Sequence, residues 1–112
     1  MRIAFTSAGT SWDAQIDPRF GRTAYLVLYN EETAQLEVYD NSAVQADAHG
    51  AGTATAQRIY ELHPDVLITG NGPGDTAYKA LKNLDMSIYV DAHNLSLQEA
   101  YNKFKNKELK AL

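Results

Sequence analysis

The stretch His49-Gly50-Ala51-Gly52-Thr53-Ala54-Thr55-Ala56-Gln57, followed by Pro64-Asp65-Val66-Leu67-Ile68-Thr69-Gly70-Asn71-Gly72-Pro73-Gly74, decides how the chain is read. Ala51, Thr55, Ile59 and Leu62 recur at helical spacing, which predicts a helix from about Gly50 to Leu62. The small residues near its start let its backbone approach a sheet closely. His63-Pro64 stops it, and the imidazole of His63 suits a helix C-terminus. Val66-Leu67-Ile68 is a continuous apolar run of the kind a central parallel strand needs, and Gly70 to Gly74 form the turn out of it. A glycine-led helix feeding a buried strand that ends in a second glycine turn is an α/β unit. Helix starts preceded by glycines leave backbone N–H groups open to a ligand, and anions are the species such termini favour.

Outward from this unit the pattern is consistent. Ile3 and Phe5 alternate with Ala4 and Thr6 in a first strand over Arg2 to Thr6. Thr23 to Asn30 and Gln35 to Asp40 also alternate, and the polar turn Asn30-Glu31-Glu32-Thr33 joins them as a hairpin whose more polar second strand is a sheet edge. Asn41 to Ala48 has no period and reads as a loop delivering His49 to the helix. Ala77, Leu81 and Leu84 mark a second helix, with Asp75 or Thr76 as its cap, and Ser87 to Val90 a fifth strand. Ser96-Leu97-Gln98-Glu99 has the form of a capping box opening a last helix that turns Leu97, Ala100 and Phe104 inward. The polar Lys103-to-Lys110 tail is expected to fray. The order β-β-β-α-β-α-β-α implies an α/β fold with a mixed five-stranded sheet, strands one, four and five being parallel. Ligands of such sheets bind outside the carboxyl ends of the parallel strands. Three loops are expected to meet there: Ser7 to Arg22, Gly70 to Gly74, and the loop after Val90.

Composition narrows the function. A chain of 112 residues, 45% apolar and 21% charged, is sized for one domain with a single core. Its formal charge of −4 and the absence of a basic run before the tail argue against nucleic acid. No apolar run reaches the roughly 20 residues that span a bilayer, and no signal-peptide h-region follows Met1, so a cytoplasmic location is expected. The chain has no Cys, so any metal must be held by His, carboxylate or backbone, or arrive as part of a preformed cluster.

Asp17-Pro18-Arg19-Phe20-Gly21-Arg22, in the long loop, is a candidate anion-binding segment. Phe20 can anchor it, Gly21 permits a tight turn, and Arg19 and Arg22 offer planar forks to an anion. The alternative is that an arginine only pairs with Asp17 or Asp13 to close the loop. The Gly70 turn lacks the Gly-Lys-Ser/Thr of a P-loop and the spacing of the dinucleotide fingerprint, so nucleotide chemistry is disfavoured. Its glycines also have a purely structural reading, as a sharp strand-to-helix turn. His49 can ligate a metal or donate to an anion from its place before the first helix. His93 lies in the loop after the fifth strand, and the sequence leaves open whether it joins His49. No spacing supports a catalytic triad from Ser7, His49 and Asp13, and the seven tyrosines read as packing.

The Asp17-to-Arg22 segment resembles the Phe-Gly-Arg signature of the dinitrogenase iron–molybdenum cofactor biosynthesis family. His49-Gly50-Ala51-Gly52 and Gly70-Asn71-Gly72-Pro73-Gly74 resemble that family's two glycine turns. This is the NifX-like family, also found fused at the end of NifB, and the chain looks like one of its small stand-alone members. The resemblance runs from Ile3 to about Phe104. It implies a ribonuclease H-like mixed sheet and non-enzymatic binding of an anionic iron–molybdenum–sulfur or related metal–sulfur cluster. The implied partners are that cluster and a protein that donates or accepts it. The implied site residues are Arg19, Arg22 and His49, with backbone around Gly50, Gly70 and Gly72, and His49 as the metal-binding side chain. An interaction or regulatory module of the same fold, offering Gln35 to Asp40 as an edge, is the alternative. Hydrolase activity by fold analogy is disfavoured, because the acidic set needed for two-metal chemistry is missing.

Overall fold

The computed structural model describes residues 1–42 and 51–112. His49 and Gly50 therefore lie outside the described residues. The elements are β1 (Arg2–Ser7), β2 (Tyr25–Asn30), β3 (Gln35–Asp40), α1 (Ala51–Leu62), β4 (Val66–Ile68), α2 (Asp75–Leu81), β5 (Ser87–Val90), α3 (Leu97–Lys105) and β6 (Lys110–Ala111). The strands form one mixed sheet in the order β3-β2-β1-β4-β5-β6. β1, β4 and β5 are mutually parallel, while β2, β3 and β6 run antiparallel to their neighbours. The hairpin, its edge strand β3 and the parallel centre follow the sequence pattern.

The strand count departs from the expected five. β6 adds a sixth strand, so the tail read as fraying is tied down. Lys107 takes a left-handed φ of 60° after α3, and the Lys107 and Glu108 N–H groups bond back to the carbonyls of Phe104 and Lys103. The chain thereby reverses, Leu109 packs on the core, and the Leu112 N–H bonds to the Ile88 carbonyl. A lysine rather than a glycine at the reversing position, followed by only two strand residues, leaves no pattern to read.

Side-chain alternation gives the sheet two buried faces. Ala4, Leu26, Leu28 and Leu67 pack with Ala56 and Ile59 of α1 and with Ala77 and Leu81 of α2. Ile3, Phe5, Val27, Val66 and Ile68 face Leu97 and Ala100 of α3. The result is three layers. The second face is completed by the segment between β1 and β2: Ile16 is buried, and Trp12 packs edge-on to Tyr29 with ring centroids 4.9 Å apart. This loop is not loose. Its backbone bonds to itself through Ala8 N–H to Gln15, to β1 through Asp17 N–H to Thr6, and to the α3 approach through Ile16 N–H to Leu95 and Leu97 N–H to Ala14.

Helix ends show one agreement and one correction. The Ser96 hydroxyl accepts from the Glu99 N–H (3.1 Å) and the Glu99 carboxylate accepts from the Ser96 N–H (3.0 Å), a complete capping box. The α2 N-cap is Gly74, with no side-chain cap bond, rather than Asp75 or Thr76. At the end of α1, His63 takes φ 50°, its N–H bonds to the Ile59 carbonyl, and its ring Nδ1 meets the Tyr60 carbonyl. Ser96→Ala should lower unfolding free energy in urea by about 1 kcal/mol, since it releases the Glu99 N–H and frees the Glu99 side chain. Glu99→Gln, which keeps an acceptor, should lose less than half of that.

Candidate functional site at the carboxyl edge of the sheet

β1, β4 and β5 all end at one edge, and their outgoing loops meet at Gly70. A Cβ placed there would lie 2.6 Å from Pro18 Cα, 3.3 Å from the Pro18 carbonyl carbon and 3.2 Å from His93 Cβ. Only glycine lets the three loops approach so closely. Backbone bonds lock them: Asn71 N–H to the Pro18 carbonyl (2.8 Å), Asp91 N–H to the Gly70 carbonyl (2.7 Å) and Ala92 N–H to the Thr69 carbonyl (3.2 Å). Beneath them the buried hydroxyls of Thr6 and Thr69 lie 2.8 Å apart, against the carbonyls of Asp17 (3.0 Å) and Asn71 (3.2 Å). The edge expected from the strand order is thus a fixed platform. His93 stands exposed on it, between Asp91 and Asn94, both left-handed at φ 63° and 70°.

Gly72 is less constrained, with Val90 Cγ1 at 3.3 Å from its would-be Cβ, and nothing crowds Gly74. The turn is therefore a close-approach device at its first glycine. The structural reading of that glycine holds whatever binds above it.

The two arginines have different surroundings. Arg19 is engaged by Asp17: its Nε donates to Oδ1 and its Nη2 to Oδ2, both at 3.1 Å. The Arg19 and Ala24 N–H groups, each at 3.0 Å, also donate to that carboxylate. Asp17 is buried, whereas the Arg19 side chain is 55% exposed. Burial alone would raise the Asp17 carboxyl, but the hydrogen bonds from Arg19 and Ala24 and the guanidinium charge outweigh it and hold it below its usual range. The loop-closing alternative is what Arg19 does in this structure.

Arg22 sits on a turn whose backbone is anchored on both sides. Phe20 is buried against Ala56 and Ile59. The Thr55 hydroxyl, from α1, donates to the Gly21 carbonyl at 2.7 Å. The Asn41 amide, just after β3, donates to the Thr23 carbonyl and to Thr55 Oγ1, both at 3.1 Å, while its own N–H reaches the Ala24 carbonyl. Arg22 itself is half-buried and makes interactions of its own. The structure thus brings Arg19, Gly70 and His93 around Pro18, and fixes Arg22 a few residues along the same loop. Sequence reasoning missed Asn41 and the hydroxyl of Thr55. Thr55 looked like one more small residue on a packing face, and an asparagine after a strand carries no sign of a partner fourteen residues on.

Among the described residues no three His, Asp or Glu side chains are grouped to hold a metal ion. No helix among the described residues is long and apolar enough to cross a membrane.

The family model described as dinitrogenase iron–molybdenum cofactor matches residues 1–107. The chain belongs to that family. The apo form of the orange protein from Desulfovibrio gigas is 34% identical, with a TM-score of 0.92 over 99% of this chain and 92% of the other. A Thermotoga protein provisionally named a NifB protein is 31% identical, with a TM-score of 0.82 over the same shares of the two chains. Among curated proteins no sequence matches.

Two outcomes check the platform. Gly70→Ala should cost about 3 kcal/mol in chemical denaturation, because its methyl group meets Pro18 backbone that three loops hold in place. Gly74→Ala, with open space around it, should stay within about 0.5 kcal/mol of wild type. Because the folded Asp17 carboxyl lies below its unfolded value of 3.8, its stabilising contribution is complete above that pH and is lost as pH falls through the lower folded value. Asp17→Asn should therefore destabilise the protein at pH 7 by about 2 kcal/mol and flatten its acid-unfolding profile below pH 4.

Proposed function

We propose that the protein is a non-enzymatic carrier for an anionic metal–sulfur cluster, of the iron–molybdenum–sulfur type or a precursor. It would act as a single cytoplasmic domain that passes its cargo to or from another protein. The observation that carries this reading is the carboxyl edge, where three loops are locked at Gly70 and Arg22 sits on a turn held at both neighbouring carbonyls. A guanidinium whose backbone is fixed before binding loses less freedom when it meets an anion. Family membership supports this cargo class, and the Desulfovibrio gigas relative is described in its apo form. Arg22 would neutralise cluster charge, Arg19 would contribute once drawn from Asp17, and backbone near Gly50, Gly70 and Gly72 would line the site. His49 would ligate metal or hydrogen-bond to sulfide. Loading and release would be exchange steps set by charge and hydrogen bonding, and the chain needs no acid, base or nucleophile for them.

The interaction-module reading has its own observation: β3 ends the sheet and exposes Val38. It competes for the function of the fold but makes no use of the arginine loop.

Anaerobic titration with an isolated iron–molybdenum–sulfur cluster, followed by visible absorption and by co-migration on gel filtration, separates the two. Arg22→Ala should weaken binding about tenfold, the size of one charge-assisted contact. Arg19→Ala should weaken it about two- to threefold, because that guanidinium must first leave Asp17. His49→Ala should also reduce co-migration. Wild-type affinity in Arg22→Ala, or no co-migration of the intact protein, would remove the carrier reading.

A further inference from the structure

We infer that Asn41 and Thr55 are positioning residues for Arg22, so that α1 and the end of β3 set the aim of the cluster-binding arginine. The inference rests on the carrier reading and deepens it.

Arg22 lies between two carbonyls, those of Gly21 and Thr23, and both are taken by side chains from outside its own loop. The donors are linked. Thr55 Oγ1 spends its single proton on Gly21 at 2.7 Å and accepts from Asn41 Nδ2 at 3.1 Å; the second Nδ2 proton goes to Thr23 at 3.1 Å. The roles are forced, because a hydroxyl that has donated can only accept and an amide nitrogen can only donate. Asn41 is itself pinned by its N–H on the Ala24 carbonyl (3.0 Å), and Thr23 by its hydroxyl on the Tyr25 carbonyl (2.9 Å). Asn41, Thr55 and Thr23 are all buried to at least 99%. A buried amide held by its nitrogen alone also leaves Asn41 Oδ1 without a partner, the one such side-chain atom among the described residues. An unsatisfied buried acceptor works against stability. The amide that carries this cost is the one that ties the arginine turn to α1 through Thr23 and Thr55.

A mere packing role and a positioning role predict different results. Thr55→Val keeps the shape but removes the hydroxyl, so the Gly21 carbonyl and one Asn41 proton lose their partner, whereas Thr55→Ser keeps the network. Two readouts are taken on the full chain: affinity for the isolated iron–molybdenum–sulfur cluster, and the NMR order parameter of the Arg22 Nε–Hε bond without cluster. Thr55→Val should weaken binding about three- to tenfold, and Thr55→Ser by less than twofold. In an Arg22→Ala background Thr55→Val should weaken binding no further, although its lowering of Tm persists. The Arg22 order parameter should fall in Thr55→Val and Asn41→Ala and hold in Thr55→Ser. An unchanged order parameter in Thr55→Val overturns the positioning role, as does an affinity loss that recurs in full without Arg22. If instead Arg22→Ala binds like wild type, the carrier reading fails, while the order parameter still decides whether Asn41 and Thr55 fix the arginine.

Discussion

The contact between Gly70 and the backbone of Pro18 governs the carboxyl edge of this fold's sheet. Three parallel strands end side by side, and each must hand its chain to a loop that crosses the same small area. The crossing is possible because residue 70 has no side chain, its would-be Cβ lying 2.6 Å from Pro18 Cα. From that approach follow the Asn71-to-Pro18 and Asp91-to-Gly70 backbone bonds, and with them the position of the arginine loop and of His93. The threonine pair Thr6 and Thr69 supports the same crossing from below, supplying polar partners where β1 and β4 end inside the protein. Rigidity at the edge is therefore a property of strand ends, and the loops inherit it.

Much of the architecture was legible because it depends on local periodicity. The alternation in Gln35–Asp40, the apolar run Val66–Ile68 and the capping box at Ser96 each carry a physical signature within a few residues. The convergence of the three loops was legible too, since it follows from which strands are parallel. What was not legible depends on contacts far apart in sequence. Asn41 and Thr55 act through partners across the fold, and the segment between β1 and β2 becomes a layer only because Leu95 and Leu97 are there to pair with it. β6 was hidden by Lys107 in the left-handed conformation that a glycine would have advertised. Residues 49 and 50, read as part of the site, lie outside what the structure describes.

The arginines show why residue type alone does not assign a role. Both carry the same fork in the same loop. Arg19 is matched by a buried carboxylate whose two oxygens it fills, so its charge is largely balanced before any ligand arrives. Arg22 has its backbone held by neutral hydroxyl and amide groups, which fix direction without supplying a counter-charge at those carbonyls. With a net charge of −4, the average field of the chain does not favour an anion, so the proposed cargo would have to be recognised through local arrangement.

The most direct test of the account is an amide NMR map of the 15N-labelled protein with and without the isolated iron–molybdenum–sulfur cluster under anaerobic conditions. Shifts or signal losses at residues 17–24, 69–74 and 91–94, with the opposite edge around Asp65 and Asp85 unchanged, are the predicted result. Perturbations centred on β3 or on that opposite edge, or none at all, would contradict it.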